Sequence, residues 1–223
     1  MQHIMQTADY ITRDVNPLSL ADKVSKAKEL FNKLTFTHLP VVDGNTFIGL
    51  VAESDIQTID ELDKPISDYN YFFQSFFVGA HITWFELLKI FALNDSSIIP
   101  VLDEDHNYMG YFELADILHI FNNTPFLNEN GATLVVSKGQ QDFSFSQVAQ
   151  IVETNDSKLL GAFISNFEED TVEITLKLSE QNLNSTIQTF RRYGYNVLTN
   201  FHLDTYLNTL KERSEYLQRY LNI

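Results

Sequence analysis

The sequence predicts an α+β protein in two parts: two α-β-β-α repeats about a pseudo-twofold, then a ferredoxin-like βαββαβ domain and a C-terminal helix. Three observations predict it. A string of residues recurs in the same order 60 positions later, the stretch beyond residue 131 alternates strand and helix periodicities, and the tail carries a leucine stripe.

The repeat comes first. His38-Leu39-Pro40-Val41-Val42-Asp43 returns as Ile98-Ile99-Pro100-Val101-Leu102-Asp103. Gly49-Leu50-Val51 returns as Gly110-Tyr111-Phe112, and Asp55-Ile56 as Asp116-Ile117, now 61 positions on. The slip of one residue falls in the polar segment after Asp43 and Asp103, where a hairpin loop absorbs it. Val24, Ala27, Leu30 and Phe31 have the spacing of an amphipathic helix, as do Leu87, Leu88, Ile90 and Phe91. Apolar strands follow at Leu39–Val42 and Ile98–Leu102, then second strands at Phe47–Ala52 and Tyr108–Glu113. Helices at Ser54–Ile59 and Ala115–Phe121 close the units, and a leading extended segment precedes each first helix.

The ordered set Pro-Val-Val-Asp, Gly-Leu-Val and Asp-Ile, met again as Pro-Val-Leu-Asp, Gly-Tyr-Phe and Asp-Ile, resembles a tandem CBS domain pair over roughly residues 5–122. The expected boundaries are 1–62 for the first repeat and 63–124 for the second.

Asn122-Asn123-Thr124-Pro125 is expected to break the last repeat helix and open a polar connection through Gly131. Beyond it, strands are expected at Thr133–Ser137, Lys158–Phe167, Thr171–Leu178 and Asn196–Phe201, with helices at Ser144–Glu153 and Leu183–Tyr193. Val172, Ile174, Leu176 and Leu178 share one strand face at period two. Fused behind a CBS pair, residues 131–201 resemble an ACT domain, and the layout is similar to bacterial acetoin-utilisation-type regulatory proteins. ACT domains that bind amino acids have a glycine in the turn after the first strand. Here the turn is Gln140-Gln141-Asp142-Phe143-Ser144 with Gly139 earlier, which favours a structural or dimerising role. Residues 202–223 read as a helix whose leucine stripe, a heptad seam, either docks on its own domain or forms a coiled coil.

Composition excludes several classes. The net charge of −15 opposes nucleic acid and anionic membranes. With no cysteine there is no disulfide or zinc–thiolate site, and a reducing compartment suits the chain. The N-terminus has no secretion signal and no stretch is a membrane span, so a cytoplasmic protein is expected. The six histidines form no i, i+4 pair, and no phosphate loop or nucleophile elbow is present, so neither a metal site nor an enzyme is expected.

The CBS resemblance implies clefts between the repeats that bind AMP, ATP or S-adenosylmethionine as an effector, with no cofactor required. The helix-opening aspartates Asp55 and Asp116 match the ribose-binding position; a carboxylate there also caps a helix. Thr37-His38, Ser97-Ile98 and Thr83 match cleft-lining positions, Thr83 doubling as an N-cap, and Lys23 is the counterpart of Thr83. The family's phosphate-binding hydroxyl is replaced by Ala52 and Glu113. Opposed to a phosphate at ~4 Å, Glu113 costs roughly 4 kcal/mol at an effective dielectric of about 20. Two functions remain open: a ligand sensor that changes domain or subunit packing, and an adaptor with vestigial clefts for an unknown target protein. A homodimer is expected through the CBS helices. The aromatic run Tyr71–Val78 packs either at a subunit interface or under the ACT-like domain.

Overall fold

The computed structural model describes residues 7–198, and the expected C-terminal helix at 202–223 lies outside them. The chain divides into two compact units, residues 1–121 and 122–223. No helix among the described residues is long and apolar enough to cross a membrane.

In the first unit a 3-10 turn (Thr7–Tyr10) precedes β1 (Leu18–Ser19), α1 (Val24–Lys33), β2 (His38–Asp43), β3 (Thr46–Ala52) and α2 (Glu53–Gln57). A second 3-10 segment (Ile66–Phe72) leads to β4 (Val78–Gly79), α3 (Trp84–Asn94), β5 (Ile98–Leu102), β6 (Tyr108–Glu113) and α4 (Leu114–Asn122). The repeats form three-stranded sheets of matching order, β1-β2-β3 and β4-β5-β6, each with a parallel and an antiparallel pair. Val24, Ala27 and Phe31 of α1 and Leu87 and Phe91 of α3 are buried, while Leu30, Leu88 and Ile90 stay half-buried.

The segments leading into the repeats cross over. Thr12, ahead of the first repeat, pairs with Tyr111 on β6 of the second: Thr12 N donates to the Tyr111 carbonyl at 2.8 Å and Tyr111 N to the Thr12 carbonyl at 3.0 Å. Gln74, ahead of the second repeat, pairs with Leu50 on β3 of the first at 2.8 and 2.9 Å. Each sheet is thus extended by backbone from the other repeat, which covers an edge.

The repeated proline and glycine follow from this crossing. Pro40 lies opposite Leu50, and Pro100 opposite Tyr111. Leu50 and Tyr111 aim their polar groups at the crossing segments. Residues facing each other in an antiparallel pair aim alike, so each proline's missing N–H removes no bond to β3 or β6. The glycines make room. A Cβ on Gly110 would lie 2.5 Å from the Thr12 carbonyl, and one on Gly49 would lie 3.0 Å from that of Gln74.

The aromatic run is absorbed mostly inside this unit. Phe72, Phe73 and Phe76 pack against the first repeat's core. Phe77 lies on Phe47 and His106, and Tyr71 stays exposed.

The second unit runs α5 (Pro125–Asn128), β7 (Ala132–Gly139), α6 (Phe145–Glu153), β8 (Leu159–Glu168), β9 (Thr171–Leu178), α7 (Leu183–Arg192) and β10 (Asn196–Val197). Its antiparallel sheet has the order β10-β7-β9-β8. Val172, Ile174, Leu176 and Leu178 are fully buried against Val148, Ile151 and Val152 of α6 and Ile187 and Phe190 of α7. The connection corrects the expectation of a polar linker. Pro125 opens the short α5 instead of merely ending a helix, since its fixed φ suits a first turn. Phe126 then packs beside Phe163 at a ring separation of 5.8 Å.

The crossing makes a testable ranking. Gly110 has φ +143° and a backbone oxygen in the way, whereas Gly49 has an ordinary φ and looser contacts. Gly110→Ala should therefore cost about 2–4 kcal/mol and Gly49→Ala about half as much, read by urea denaturation. Negligible losses in both variants would contradict the crossing as the cause.

Candidate functional site

Where the two repeats meet, Thr37 and Ser97 hold each other. The Thr37 backbone N–H donates to Ser97 Oγ at 2.9 Å, and the Ser97 N–H donates to Thr37 Oγ1 at 2.9 Å. The two hydroxyls are 3.3 Å apart. The backbone continues the symmetry: the Thr37 carbonyl accepts from Glu53 N at 2.8 Å, and the Ser97 carbonyl from Leu114 N at 2.9 Å. These are the first residues of α2 and α4, so the junction also fixes the helices that carry the two aspartates.

Asp55 is the third residue of α2 and half-buried. The helix starts after Ala52 with no side-chain cap, so Asp55 is not spent on capping. Its carboxylate accepts no hydrogen bond among the described residues. His38 lies near enough to feel its charge. The imidazole is buried, sits edge-on to Phe76 at 5.4 Å and lies with Nδ1 2.9 Å from Thr37 Oγ1. Burial holds its pKa below the usual histidine value, against the opposing pull of a Gln74 hydrogen bond and the charges of Asp55 and Asp95. The first repeat therefore brings together one uncommitted carboxylate, a neutral imidazole and the small Ala52.

The matching place in the second repeat is acidic. Asp116 is likewise half-buried and uncommitted, and Glu113 feels both its charge and that of Asp14. Burial first, then the charges of Asp116 and Asp14, push the Glu113 carboxyl above its usual range. Asp14 accepts a hydrogen bond from the Tyr111 hydroxyl at 2.7 Å.

The remaining sequence candidates divide. Ile98 is fully buried and has no polar side-chain atom to offer. Thr83 is an N-cap: Glu86 N donates to its Oγ1 at 3.3 Å, and Thr83 Oγ1 donates to Glu86 Oε2 at 2.7 Å. Lys23 is paired with Asp63 at 2.8 Å on an exposed edge. Sequence reasoning missed Asp14, Gln74 and Phe76 as cleft neighbours. Their signal was position alone, next to Thr12 and Gln74 where the segments cross. A groove of about 980 Å³, with Phe77, Ile82, Lys89 and Leu93 among its lining, was also unforeseen. Among the described residues, no group of three or more His, Asp or Glu side chains is placed to hold a metal ion.

Among protein families, the model described as CBS domain matches residues 8–60 and 72–123. An inosine-5'-monophosphate dehydrogenase of Methanocaldococcus jannaschii is 21% identical over 156 residues, covering 69% of this chain and 31% of that protein. The chain spans less than a third of the length of the curated relatives it matches. A CBS domain pair/ACT domain protein from Thermotoga maritima is 22% identical with a TM-score of 0.47, covering 52% of this chain and 96% of that one. The protein CBSX2, solved in complex with AMP, is 18% identical with a TM-score of 0.42, covering 52% and 95%.

Charge crowding at the second cleft has a measurable sign. Glu113 has a raised folded pKa, so its destabilising charge is absent below the usual carboxylate pKa and develops as pH rises through the folded value. Glu113→Gln should raise stability at pH 7 by of order 0.5 kcal/mol and lose that gain near pH 4. A gain of equal size at both pH values would place the effect outside titration.

Proposed function

Because residues 8–60 and 72–123 are a tandem pair of CBS domains, we propose that this chain is a non-catalytic regulatory protein that binds an adenosine-type ligand in the cleft served by Asp55. The supporting observation is the free, half-buried carboxylate of Asp55 at the start of an uncapped helix. A carboxylate accepts from both vicinal ribose hydroxyls, and the small neutral Ala52 raises no barrier to a phosphate beside it. At the other aspartate Glu113 stands where Ala52 does here and feels the charges of Asp116 and Asp14, which disfavours AMP and ATP and tolerates the cationic S-adenosylmethionine. A ligand between the repeats touches a junction built by both, so occupancy changes how they or two subunits pack.

The second reading is an adaptor that works through its surface. It draws support from a break in the repeat symmetry. Phe85 of α3 and Leu118 of α4 are exposed, where α1 and α2 carry Ser25 and Gln57. Leu88 replaces Lys28, whose ammonium donates to the Gln57 carbonyl on the first face. We assign this apolar face to a homodimer contact. Phe85, Leu88 and Ala92 lie along one stripe, so an antiparallel pair of α3 helices sets each Phe85 against the partner's small Ala92.

Residues 131–201, with element order βαββαβ over the described part, are read as an ACT-like domain of structural or dimerising role, as in acetoin-utilisation-type proteins. The buried face of β9 and the docked α5 support a unit that folds apart from the CBS pair.

Calorimetry tests the sensor reading. Asp55→Ala should abolish AMP binding while Asp116→Ala leaves it nearly intact; equal losses, or a loss only in Asp116→Ala, would refute the assignment. Absence of heat from AMP, ATP and S-adenosylmethionine alike would favour the adaptor. Light scattering tests the dimer: Phe85→Glu should yield the 25.7 kDa monomer from a wild-type dimer. A wild type that is already monomeric at micromolar concentration would rule the contact out.

A further inference from the structure

The hairpin tips of the CBS unit meet, with Tyr108 N donating to the Asn45 carbonyl at 2.8 Å and Phe47 N to that of His106 at 3.2 Å. A crossing segment passes each side of this meeting on its way to a short parallel strand. In the second repeat it runs from Gln74 to Val78 through residues 75–77, and the Phe77 ring settles 5.9 Å from Phe47 and 5.8 Å from His106. In the first repeat it runs from Thr12 to Leu18 through residues 13–17, a path longer by two residues. Pro17 stands where Phe77 would, and the counterparts of Phe47 and His106 are Tyr108 and Asn45. The place filled by three rings on one side is a cavity of about 350 Å³ on the other, lined by neither Asp55 nor Asp116.

Its walls carry charged and polar groups, and Asp103 and Met109 also border the larger groove. Arg13 donates Nε–H to the Met109 carbonyl at 2.5 Å and has no carboxylate within ion-pair distance among the described residues. A guanidinium has five N–H donors, so most of them remain open. Asp103 stays ionised, because hydrogen bonds from Asn107 hold its carboxyl below the usual range. Asn16 and Asn45 add amides. Tyr108 also lines the cavity, with its hydroxyl buried away from the open space.

The geometry points to a second ligand site here, for a small zwitterion of the α-amino-acid class, its carboxylate on Arg13 and its ammonium on Asp103. The two charged walls cancel, which matches a zwitterion and rejects a phosphate dianion. The volume is at the small end for ligand pockets, below what a nucleotide wants. Asn16 and Asn45 supply the remaining polar contacts. The site stands apart from the adenosine reading and does not depend on it.

Titration calorimetry of the full chain tests it, with each common L-α-amino acid in turn and with inorganic phosphate and acetate as charge controls. At least one amino acid should give saturable heat, at least tenfold weaker in Arg13→Gln and absent in Pro17→Phe, which copies the aromatic plug of the second repeat. No saturable heat from any amino acid would overturn the proposal. Heat that survives both variants, or phosphate binding more tightly than every amino acid, would do the same. Whether AMP binds does not enter this readout.

Discussion

The exchange of backbone between the repeats, Thr12 to Tyr111 and Gln74 to Leu50, is the constraint on which the rest of the CBS unit depends. A three-stranded sheet with one helix face is marginal alone and leaves an open edge. Here the β3 edge and the β6 edge are each covered by a segment that belongs in sequence to the other repeat. The cores are shared for the same reason: Phe73 and Phe76 pack on the first repeat's core, and Tyr10 and Ile11 on the second's. Glycine at 49 and 110 and proline at 40 and 100 are the sequence's accommodation to that crossing. Thr37 and Ser97 then close the seam from the opposite strand ends, which sets both aspartate-bearing helices against one junction.

A pseudo-twofold also supplies its own controls. Pro40 and Pro100, like Gly49 and Gly110, recur because both halves carry the crossing. Among the places where the halves part, three bear on function. Ala52 faces Glu113 across the pseudo-axis, so the two clefts differ in charge. Phe77 faces Pro17, so one hairpin junction is filled and the other holds a cavity. Ser25 and Gln57 face Phe85 and Leu118, so one helix pair is dressed for water and the other is not. None of these differences alters the element order, which is identical in both repeats.

Much of this was legible in the residues. The recurring Pro-Val-Val-Asp and Gly-Leu-Val strings placed β2, β3, β5 and β6 to within a residue or two, because buried strands leave an unbroken apolar run between turn signals. Period two in Val172–Leu178 named the buried face of β9 before any coordinates. The crossing was not legible, since it is made by backbone groups of Thr12 and Gln74 that any residue could offer. Nor was the role of Lys23: its pairing with Asp63 joins positions far apart in sequence, and no local pattern announces it. The charge contrast between Ala52 and Glu113 was readable, but the company of Asp14 was not, because the first crossing segment delivers it. Pro125 was read as a stop and proved a start, the same fixed φ serving either end of a connection.

Native-state hydrogen exchange at Thr12, Leu50, Gln74 and Tyr111 in the full chain tests most directly whether the two repeats are one interlocked body. All four amides donate across the crossing, at 2.8 to 3.0 Å. If the exchange of segments holds the unit together, they open only when it unfolds, with one common free energy and the same response to urea. If Leu50 and Gln74 instead exchange through one opening and Thr12 and Tyr111 through a cheaper, separate one, the repeats unfold independently and the account is wrong.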